Sequence, residues 1–562
     1  MAVPGGEVIT LQLGHYAHSV GAHWWGLQES QFGHSDSEIR SDVLFRTGLT
    51  PNGVETYTPR LIALDTKGSA TAARADDGLY EDERSANAIP AWTGNVTKHE
   101  EEWSQRSPVS STQEGGVVDE GPGRKSDLRG RRTTLESRQK TCQAVARDGV
   151  WSDYLSSPLH PKSLCLLSHR SHGGNTGGLE SFSQGESLLK ASSHLDEVED
   201  RLHFFSEECD YLQGFHILCD IHSGFSGAGA RIAELLHDEF PGRGILSFGT
   251  CPVPPEERNL QTSTYQLMNC VLSLVPLTNH SSIFSPLSVN SSLGRRPGSP
   301  THFPQLLYDA SWAYHSSAVL ALALDTLTTP YRMSSSSLSL SHLAETLSFG
   351  GRKVMTVSCD IPFPLGSSSF LPDTLLSDHS SPPWRSLSAC TGQAPIFSQS
   401  VVLRGIPKGR QSSHLPGGRP PPSPLHACTS GTDVLQCYLS SVYPGSPSIS
   451  HLLSTPCRPG PTFPQFFSRY ITKDGWTVEE PQAEAPVVGQ IPVLAALQAS
   501  SSLQQSLRGL CDEVTTIDIR RWANFSTAGV EEEDFREAVN ELRCLSQCYR
   551  VRDGEDSDDN SD

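Results

Sequence analysis

The sequence predicts an α/β fold, and the prediction depends on one central stretch. Residues 215–219 form a short apolar run between a glycine and an aspartate, as expected for a buried strand. A loop rich in glycine and serine follows, and apolar residues then recur at helical spacing until Pro241 and Gly242 end the helix. A second apolar run begins at Gly244, so the stretch is a strand–loop–helix–strand unit.

Further elements are predicted on both sides of this unit. The run over 318–327 is apolar on nearly all sides, which is typical of a helix buried in a core. The segment 532–549 has the pattern of an amphipathic helix, and the segment 491–510 is also predicted to be ordered. The remaining predicted elements are strands over 7–12, 60–65 and 353–365 and a helix over 197–209.

Composition limits the possible partners and the extent of the ordered parts. The net charge of −20 makes a nucleic-acid partner unfavourable. A hydrophobic content of 36% is low, and it indicates ordered lobes separated by long polar insertions. We predict a disordered insertion over 68–149, a loop over 281–300, a Ser/Pro-rich insertion over about 367–424 and an acidic tail over 551–562.

Membrane and metal signals are weak. The N-terminus has no basic and apolar signal region, and no apolar run approaches the roughly 18 residues that cross a bilayer, so we expect a cytosolic or peripheral protein. Cys544 and Cys548 are one helical turn apart. Two cysteines at this spacing are more often packed on one face of a helix than bound to a metal ion, so we interpret them as packed. His15 and His18 have the same spacing and are also expected to pack. No metal site is predicted.

The glycine-rich loop allows two kinds of chemistry. The loop does not match the dinucleotide-binding fingerprint, because Ile232 stands where that pattern requires glycine or alanine. A lysine-containing phosphate-loop motif is absent as well. A nucleophile elbow centred on Ser226 nearly fits, although Ala228 stands where the pattern requires glycine. Alternatively, backbone amides and the helix N-terminus could hold a phosphate. The loop residues concerned are Ser223, Gly224, Ser226, Gly227 and Gly229.

Several motifs resemble tubulin in the same order along the chain. The run Cys209–Phe215, the loop and then Glu239–Arg243 resemble the phosphate-binding signature and its flanks. Gln12–Gly14 with Gly21–Trp25 resembles the first nucleotide loop, and 318–331 resembles the helix that joins the two tubulin domains. The chain is more closely similar to the tubulin-like Misato family, whose motifs include Trp151–Tyr154 followed by His160 and Pro161.

The resemblance implies a tubulin-like fold. A Rossmann-type nucleotide-binding domain would be joined by a core helix to a second α/β domain and C-terminal helices. The implied segments are a nucleotide-binding domain over 1–67 and 150–315, a core helix over 316–330, a second domain over 331–510 and C-terminal helices over 511–550.

The resemblance also implies GTP or GDP as the candidate cofactor. Phe225 replaces a glycine that would let backbone approach phosphate. Lys67 stands near the position where tubulin carries an acid that supports the metal, and a lysine cannot hold Mg²⁺. Asp65 could support a metal or only cap its strand. The interval 342–357 lacks the acid that positions water for hydrolysis, so we expect no catalysis. The candidate nucleotide residues are Gly14, His15, Tyr16, Asp65, Ser223, Gly224, Ser226, Gly227, Gly229 and Ser316.

The function expected from the resemblance is therefore non-catalytic. The chain would act in mitochondrial distribution, morphology and fusion, in the cytoplasm and peripherally on the outer mitochondrial membrane. Its partners would be proteins such as tubulin, a chaperonin or outer-membrane factors. One alternative is a weak or partner-stimulated GTPase with a spindle, cytoskeletal or tubulin-folding role. The other is a hydrolase that uses Ser226.

Overall fold

The structure is a computed structural model, and it describes most of the chain. The described residues are 6–34, 37–49, 55–66, 150–167, 179–190, 192–254, 259–296, 298–377, 384–390, 394–413, 421–526 and 529–551. The predicted insertion over 68–149 lies outside them, as do Lys67 and all of the acidic tail beyond Val551.

The described residues form strands and helices throughout the chain. The strands are β1 Glu7–Leu13, β2 Phe45–Leu49, β3 Glu55–Pro59, β4 Leu61–Thr66, β5 Leu164–Leu167, β6 Leu212–Asp220, β7 Gly244–Thr250, β8 Ile283–Leu287, β9 Thr356–Asp360, β10 Arg385–Ser386, β11 Ile396–Arg404, β12 Ser448–Leu453 and β13 Val493–Ser500. The helices are α1 His15–Glu29, α2 Phe182–Lys190, α3 Ser192–Glu207, α4 Phe225–Glu239, α5 Leu260–His280, α6 Ala313–Leu327, α7 Leu340–Leu347, α8 Leu371–Leu376, α9 Pro424–Ala427, α10 Gly431–Val442, α11 Ser502–Val514, α12 Ala523–Ser526 and α13 Glu532–Gln547.

A six-stranded parallel sheet forms the first layer, in the order β5-β4-β1-β6-β7-β8. Every residue of β6 and β7 is buried, because helices cover both faces of a parallel sheet. The predicted strands over 7–12, 60–65 and 215–219 are confirmed as β1, β4 and β6, and the predicted central unit is β6–α4–β7. The predicted tubulin-like α/β fold is confirmed.

The two faces of this sheet belong to different cores. On one face, α1 and α6 pack with residues of the second sheet in a single hydrophobic cluster. On the other face, α2 to α5 pack with apolar residues of α11 and α13. The helix predicted over 532–549 is confirmed as α13, which buries Phe535, Val539 and Leu542 on this side.

The second sheet has the order β10-β9-β13-β11-β12, and only its β11–β12 pair is parallel. A buried ion cluster joins it to α6: Asp325 accepts from Arg332 at 3.0 Å and from Arg404 of β11 at 2.6 Å. Burial alone would raise the pKa of Asp325, but the two guanidinium groups outweigh it and hold that pKa below its usual value.

Two predicted loops contain strands. The predicted Ser/Pro-rich insertion over 367–424 is wrong at β11, which lies between β13 and β12 in the second sheet. The predicted loop over 281–300 is wrong at β8, an edge strand of the first sheet. Both strands carry serine and lie in segments rich in serine and proline, but tertiary packing buries most of their residues and overrides the composition of their surroundings.

Three predicted boundaries are also corrected. The core helix predicted over 316–330 is Ala313–Leu327, because Trp312 is extended before it and Pro330 belongs to a separate 3-10 turn after it. The C-terminal helices predicted over 511–550 begin earlier, at Ser502, directly after β13. The strand predicted over 353–365 is shorter, at Thr356–Asp360. No helix within the described ranges is long and apolar enough to span a bilayer.

Candidate nucleotide site

Three neighbouring strands bring the predicted site residues to one edge of the first sheet. In the parallel register, Leu13 of β1 lies beside Leu64 of β4 and beside Cys219 of β6. The next residue in each strand is therefore at the same edge. The strands β1, β4 and β6 thus place Gly14, Asp65 and Asp220 together, in the crevice where open α/β sheets bind ligands.

The N-terminus of α1 is held by Asp220. Its carboxylate accepts hydrogen bonds from the backbone amides of Tyr16 at 2.9 Å and Ala17 at 2.8 Å, and from the Thr250 hydroxyl at 2.7 Å. The first amides of a helix have no partner within the helix and carry its positive end, so they attract an anion. In this protein that anion is a side chain of the chain itself.

Gly14 makes this contact possible. Its φ of +102° is in a region that side chains rarely adopt, and a Cβ atom there would overlap the carboxylate of Asp220. The predicted residue Gly14 is therefore explained by the approach of Asp220 to α1. Asp220 is not among the site residues that the sequence predicts.

Asp65 is fully buried at the end of β4 and accepts hydrogen bonds from the Trp151 indole at 3.0 Å and from its neighbour's amide, Thr66, at 2.7 Å. The His15 imidazole, which is half exposed, lies 3.2 Å from it, and His18 lies 3.8 Å away. The hydrogen bond to Asp65 raises the pKa of His15, whereas burial lowers the pKa of His18. These contacts favour the strand-cap alternative for Asp65.

No group of three or more side chains arranged to hold a metal ion occurs in the part of the chain that the structure describes. His18 Nε2 donates to the Leu64 carbonyl at 3.1 Å, and its ring packs 4.7 Å from that of Trp151. The two histidines therefore meet at Asp65 by packing and hydrogen bonding.

Two glycines of the loop, Gly224 and Gly227, accommodate the N-terminus of α2 and the segment just before it. The amide of Gly224 donates to the Leu179 carbonyl at 2.9 Å. A Cβ at Gly227 would overlap the carbonyl oxygen of Phe182, and one at Gly229 would overlap the Cys219 sulfur. The loop glycines are thus required by contacts within the protein, and the Gly224 amide already has an acceptor.

The side chains of the loop are buried. Phe225 is 2% exposed and its ring meets that of His15 edge-on, with centroids 5.7 Å apart. The hydroxyls of Ser223 and Ser226 have no hydrogen-bond partner among the described residues. Ser226 thus lacks the neighbouring base that a serine nucleophile requires in the described part of the chain, which counts against the hydrolase alternative.

Tyr16 and Ser316, two of the candidate nucleotide residues, contact each other between two helices. The Tyr16 hydroxyl donates to Ser316 Oγ at 3.0 Å, and Ser316 donates to the Trp312 carbonyl at 3.2 Å. Both side chains are buried, and burial raises the pKa of Tyr16, so the phenol stays protonated. This contact ties α1 to α6.

The candidate residues that the structure brings together do not fit a nucleotide phosphate as they stand. Two buried carboxylates, Asp65 and Asp220, lie at the edge, and none of the ten predicted candidates is a lysine or arginine. A phosphate would meet like charge and would have to replace Asp220 at the amides of α1. Sequence reasoning missed Asp220 and Trp151, although Asp220 ends a buried strand just as Asp65 does.

The parallel sheet, the core helix and the glycine-rich loop define a protein of the tubulin class. The chain matches the family profile described as Misato Segment II tubulin-like domain over residues 6–113 and the profile described as Tubulin domain over residues 140–333. The chain is 47% identical to Protein misato homolog 1 of Homo sapiens over 570 residues, covering 98% of this chain and 99% of the human protein.

Other relatives show the same coverage. Protein misato homolog 1 of Danio rerio is 40% identical, covering 99% of each chain. Protein misato of Drosophila melanogaster is 27% identical, covering 97% of this chain and 98% of the fly protein. The chain belongs to the Misato family of the tubulin superfamily.

Proposed function

We propose that this chain is a non-catalytic tubulin-like protein that acts through protein partners in mitochondrial distribution, morphology and fusion. The observation that supports the absence of catalysis is the position of Asp220. Its carboxylate accepts from the two amides that open α1, where the fold would otherwise present donors to a phosphate. A protein that keeps this fold without its phosphate contacts is suited to a role in binding other proteins.

The cellular part of the proposal depends on the resemblance to the Misato family. The proposed locations are the cytoplasm and the surface of the outer mitochondrial membrane, with peripheral attachment. The proposed partners are tubulin, a chaperonin or outer-membrane factors. Depletion of the protein should alter the shape and distribution of the mitochondrial network in imaging, and re-expression should restore them. An unchanged network after depletion would count against this part.

Nucleotide content tests the non-catalytic part. Freshly purified protein is denatured, and the supernatant is chromatographed for GTP and GDP. We expect far less than one guanine nucleotide per chain, because Asp220 occupies the amides of α1. Stoichiometric GTP or GDP would contradict the proposal.

A substitution at Asp220 makes the test more specific. Asp220→Ser removes the buried carboxylate and should increase the amount of bound guanine nucleotide. The nucleotide is measured in the same way, on variant protein that circular dichroism shows to be folded. The matched control is Asp373→Ser, whose carboxylate is 52% exposed and far along the chain in α8. The control should leave the nucleotide content unchanged. Equal content in both variants would show that Asp220 does not govern access.

A weak or partner-stimulated GTPase is the second candidate, and one observation favours it. The hydroxyls of Ser223 and Ser226 are buried without a hydrogen-bond partner among the described residues, so the loop has donors that a phosphate could use. If the chain is such a GTPase, it should release phosphate from GTP, and this release should increase when tubulin is added. Ser226→Ala should reduce that release, whereas the non-catalytic proposal expects no turnover in either protein.

A further inference from the structure

The second sheet ends on one side at a strand that has no outer neighbour. In the part of the chain that the structure describes, β12 pairs only with β11, and no further strand lies beside it. The strand β12 contains six residues, whereas β10, at the opposite end of the sheet, contains two. The outer side of β12 is therefore the longer of the two edges of this sheet.

The backbone groups on the outer side of β12 have no partner among the described residues. The amide of Gln399 donates to the Pro447 carbonyl and that of Gly405 donates to the Leu453 carbonyl, both at 3.0 Å. The odd-numbered residues from 447 to 453 therefore face β11. Backbone groups alternate in direction along a strand, so residues 448, 450 and 452 face outwards. Their amides and carbonyls form no hydrogen bond with any other described residue.

The sequence of β12 does not protect this edge from pairing. Exposed edges are usually blunted by a charged side chain, a proline or a bulge. Residues 448–453 contain no Lys, Arg, Asp, Glu or Pro, and their register with β11 is continuous. His451 is the only titratable side chain of the strand, and burial lowers its pKa. The strand is thus uncharged at neutral pH.

The surroundings of β12 are also poor in charge. Between Pro421 and Cys457 the sequence contains one aspartate, Asp433, and no Glu, Lys or Arg, although 19% of the whole chain is charged. The exposed Gln436 of α10 accepts a hydrogen bond from the Ser450 hydroxyl at 2.8 Å, so this charge-poor segment borders the edge. The centres of protein interfaces are depleted of charged residues in the same way.

We propose that two copies of this chain pair antiparallel through β12, around a two-fold axis at Ser450. An extended backbone is the partner that matches a row of free amides and carbonyls, as in β-strand addition. In this pair Ser450 lies opposite its counterpart, and residue 448 of one copy lies opposite residue 452 of the other. The outward groups of the two strands then form about six hydrogen bonds.

The lack of charge favours a second copy over a different protein. Around a two-fold axis a residue meets its own counterpart, so a charged side chain there would meet a like charge. Each copy has a net charge of −20, and a neutral edge is where two such copies can approach with the least repulsion. A basic partner would find no carboxylate on β12 itself. The edge is independent of the candidate nucleotide site, because β12 belongs to the second sheet.

Analytical ultracentrifugation of the full chain between about 1 and 100 μM tests the pairing. We expect a reversible monomer–dimer equilibrium with a Kd in the micromolar range, because a single strand pair gives a small interface. A chain that stays monomeric throughout this range would overturn the proposal and would leave the edge to a strand of another protein.

Ser450→Lys places like charges opposite each other at the axis and should raise the dimer Kd at least about tenfold. The matched control is Ser337→Lys, which adds the same charge at an exposed serine in the loop before α7 and should leave the Kd unchanged. An equal Kd in the two variants would assign the dimer contact to another surface and would overturn the proposal.

Ser450→Cys tests the register and is close in size to the natural side chain, so it keeps the fold if the lysine variant does not. Opposite residues of a hydrogen-bonded antiparallel pair have Cα atoms about 5.5 Å apart, which is within the range that a disulfide spans. Oxidised glutathione should therefore produce a covalent dimer that dithiothreitol reverses.

The unsubstituted chain and Ser337→Cys are the controls for this cross-link. Both contain the exposed Cys544 and Cys548, as Ser450→Cys does, and both should remain without a covalent dimer. Equal amounts of covalent dimer in all three proteins, or none in Ser450→Cys, would contradict pairing at Ser450.

Discussion

Two regions of the molecule bury carboxylates but neutralise the charge differently. One is the edge of the first sheet at which Asp65 and Asp220 lie, and the other is the contact between α6 and the second sheet. At the contact, Asp325 is bonded to two guanidinium groups, those of Arg332 and Arg404. At the edge, Asp220 accepts from backbone amides and a hydroxyl. The first arrangement is an ion cluster that joins two sheets, and the second places a protein anion where a ligand anion would bind.

The difference teaches which part of the tubulin-like fold this chain uses for stability. The ion cluster connects α6, which packs in the core against the first sheet, to β11 of the second sheet, so its loss should affect the whole molecule. At the edge, α1 is held by hydrogen bonds from two backbone amides to Asp220, so single changes there should have smaller effects on stability. Substitutions in the two regions should therefore differ in the size of the stability loss that they cause.

The largest effect is expected for Asp325→Asn. The change leaves Arg332 and Arg404 buried without a carboxylate, and it should lower the free energy of unfolding by about 3–5 kcal/mol. Urea denaturation measures the change. The matched control is Asp512→Asn, an exposed residue whose partner Arg508 is 3.9 Å away, and it should change stability by less than about 1 kcal/mol. Similar losses in both variants would contradict a structural role for the cluster.

The next largest effect is a loss of stability at acidic pH. It arises from two buried histidines, one beside α6 and the other beside the segment that follows α6. Burial lowers the pKa of His23 to about 3, and burial with the nearby Arg332 charge lowers that of His216 to about 3. His23 donates to the Tyr314 carbonyl, and His216 is 2.6 Å from the Tyr331 hydroxyl. Both rings are therefore neutral in the folded protein at neutral pH.

The unfolded chain binds protons first as the pH falls, because its histidines have a pKa of about 6.5. The stability is therefore fully present above pH 6.5 and is lost progressively as the pH falls towards 3. Between pH 6.5 and 5 the two histidines should together remove about 3 kcal/mol of unfolding free energy. Urea denaturation at both pH values should show a smaller loss in His216→Gln and an unchanged loss in His342→Gln, an exposed control.

Much of the first sheet could be predicted because its signals are local. The strands β1, β4 and β6 are apolar runs, and α4 has apolar residues at helical spacing directly after the glycine-rich loop. The strands β8 and β11 could not be found in this way. They lie inside segments rich in serine and proline, and only their position in a sheet explains their burial.

The sequence predicts where the candidate site lies, but it does not predict which residues contact each other there. Gly14, Asp65 and the loop follow strands whose order in the sheet decides what they face. The position of Asp220 against α1 depends on the pairing of β1 with β6, which are about 200 residues apart in sequence. A sequence motif indicates that a loop is tight and glycine-rich, but it does not reveal which group of the protein fills the space.

The loop glycines give the smallest of the three effects and distinguish packing from ligand binding. A Cβ at Gly227 would overlap the carbonyl oxygen of Phe182, the first residue of α2, so Gly227→Ala should force α2 away from α4 and cost about 1–3 kcal/mol of unfolding free energy. Urea denaturation measures this cost. The matched control is Gly509→Ala, because nothing lies within 4 Å of its Cβ position in α11.

The control should have the opposite sign. Alanine is a better helix former than glycine, so Gly509→Ala should stabilise the protein by up to about 1 kcal/mol. If Gly227→Ala were instead neutral for stability but changed the amount of bound guanine nucleotide, the loop would serve a phosphate rather than the segment at Phe182. Loss of stability with an unchanged nucleotide content would place the role of Gly227 in packing, as the contact with Phe182 predicts.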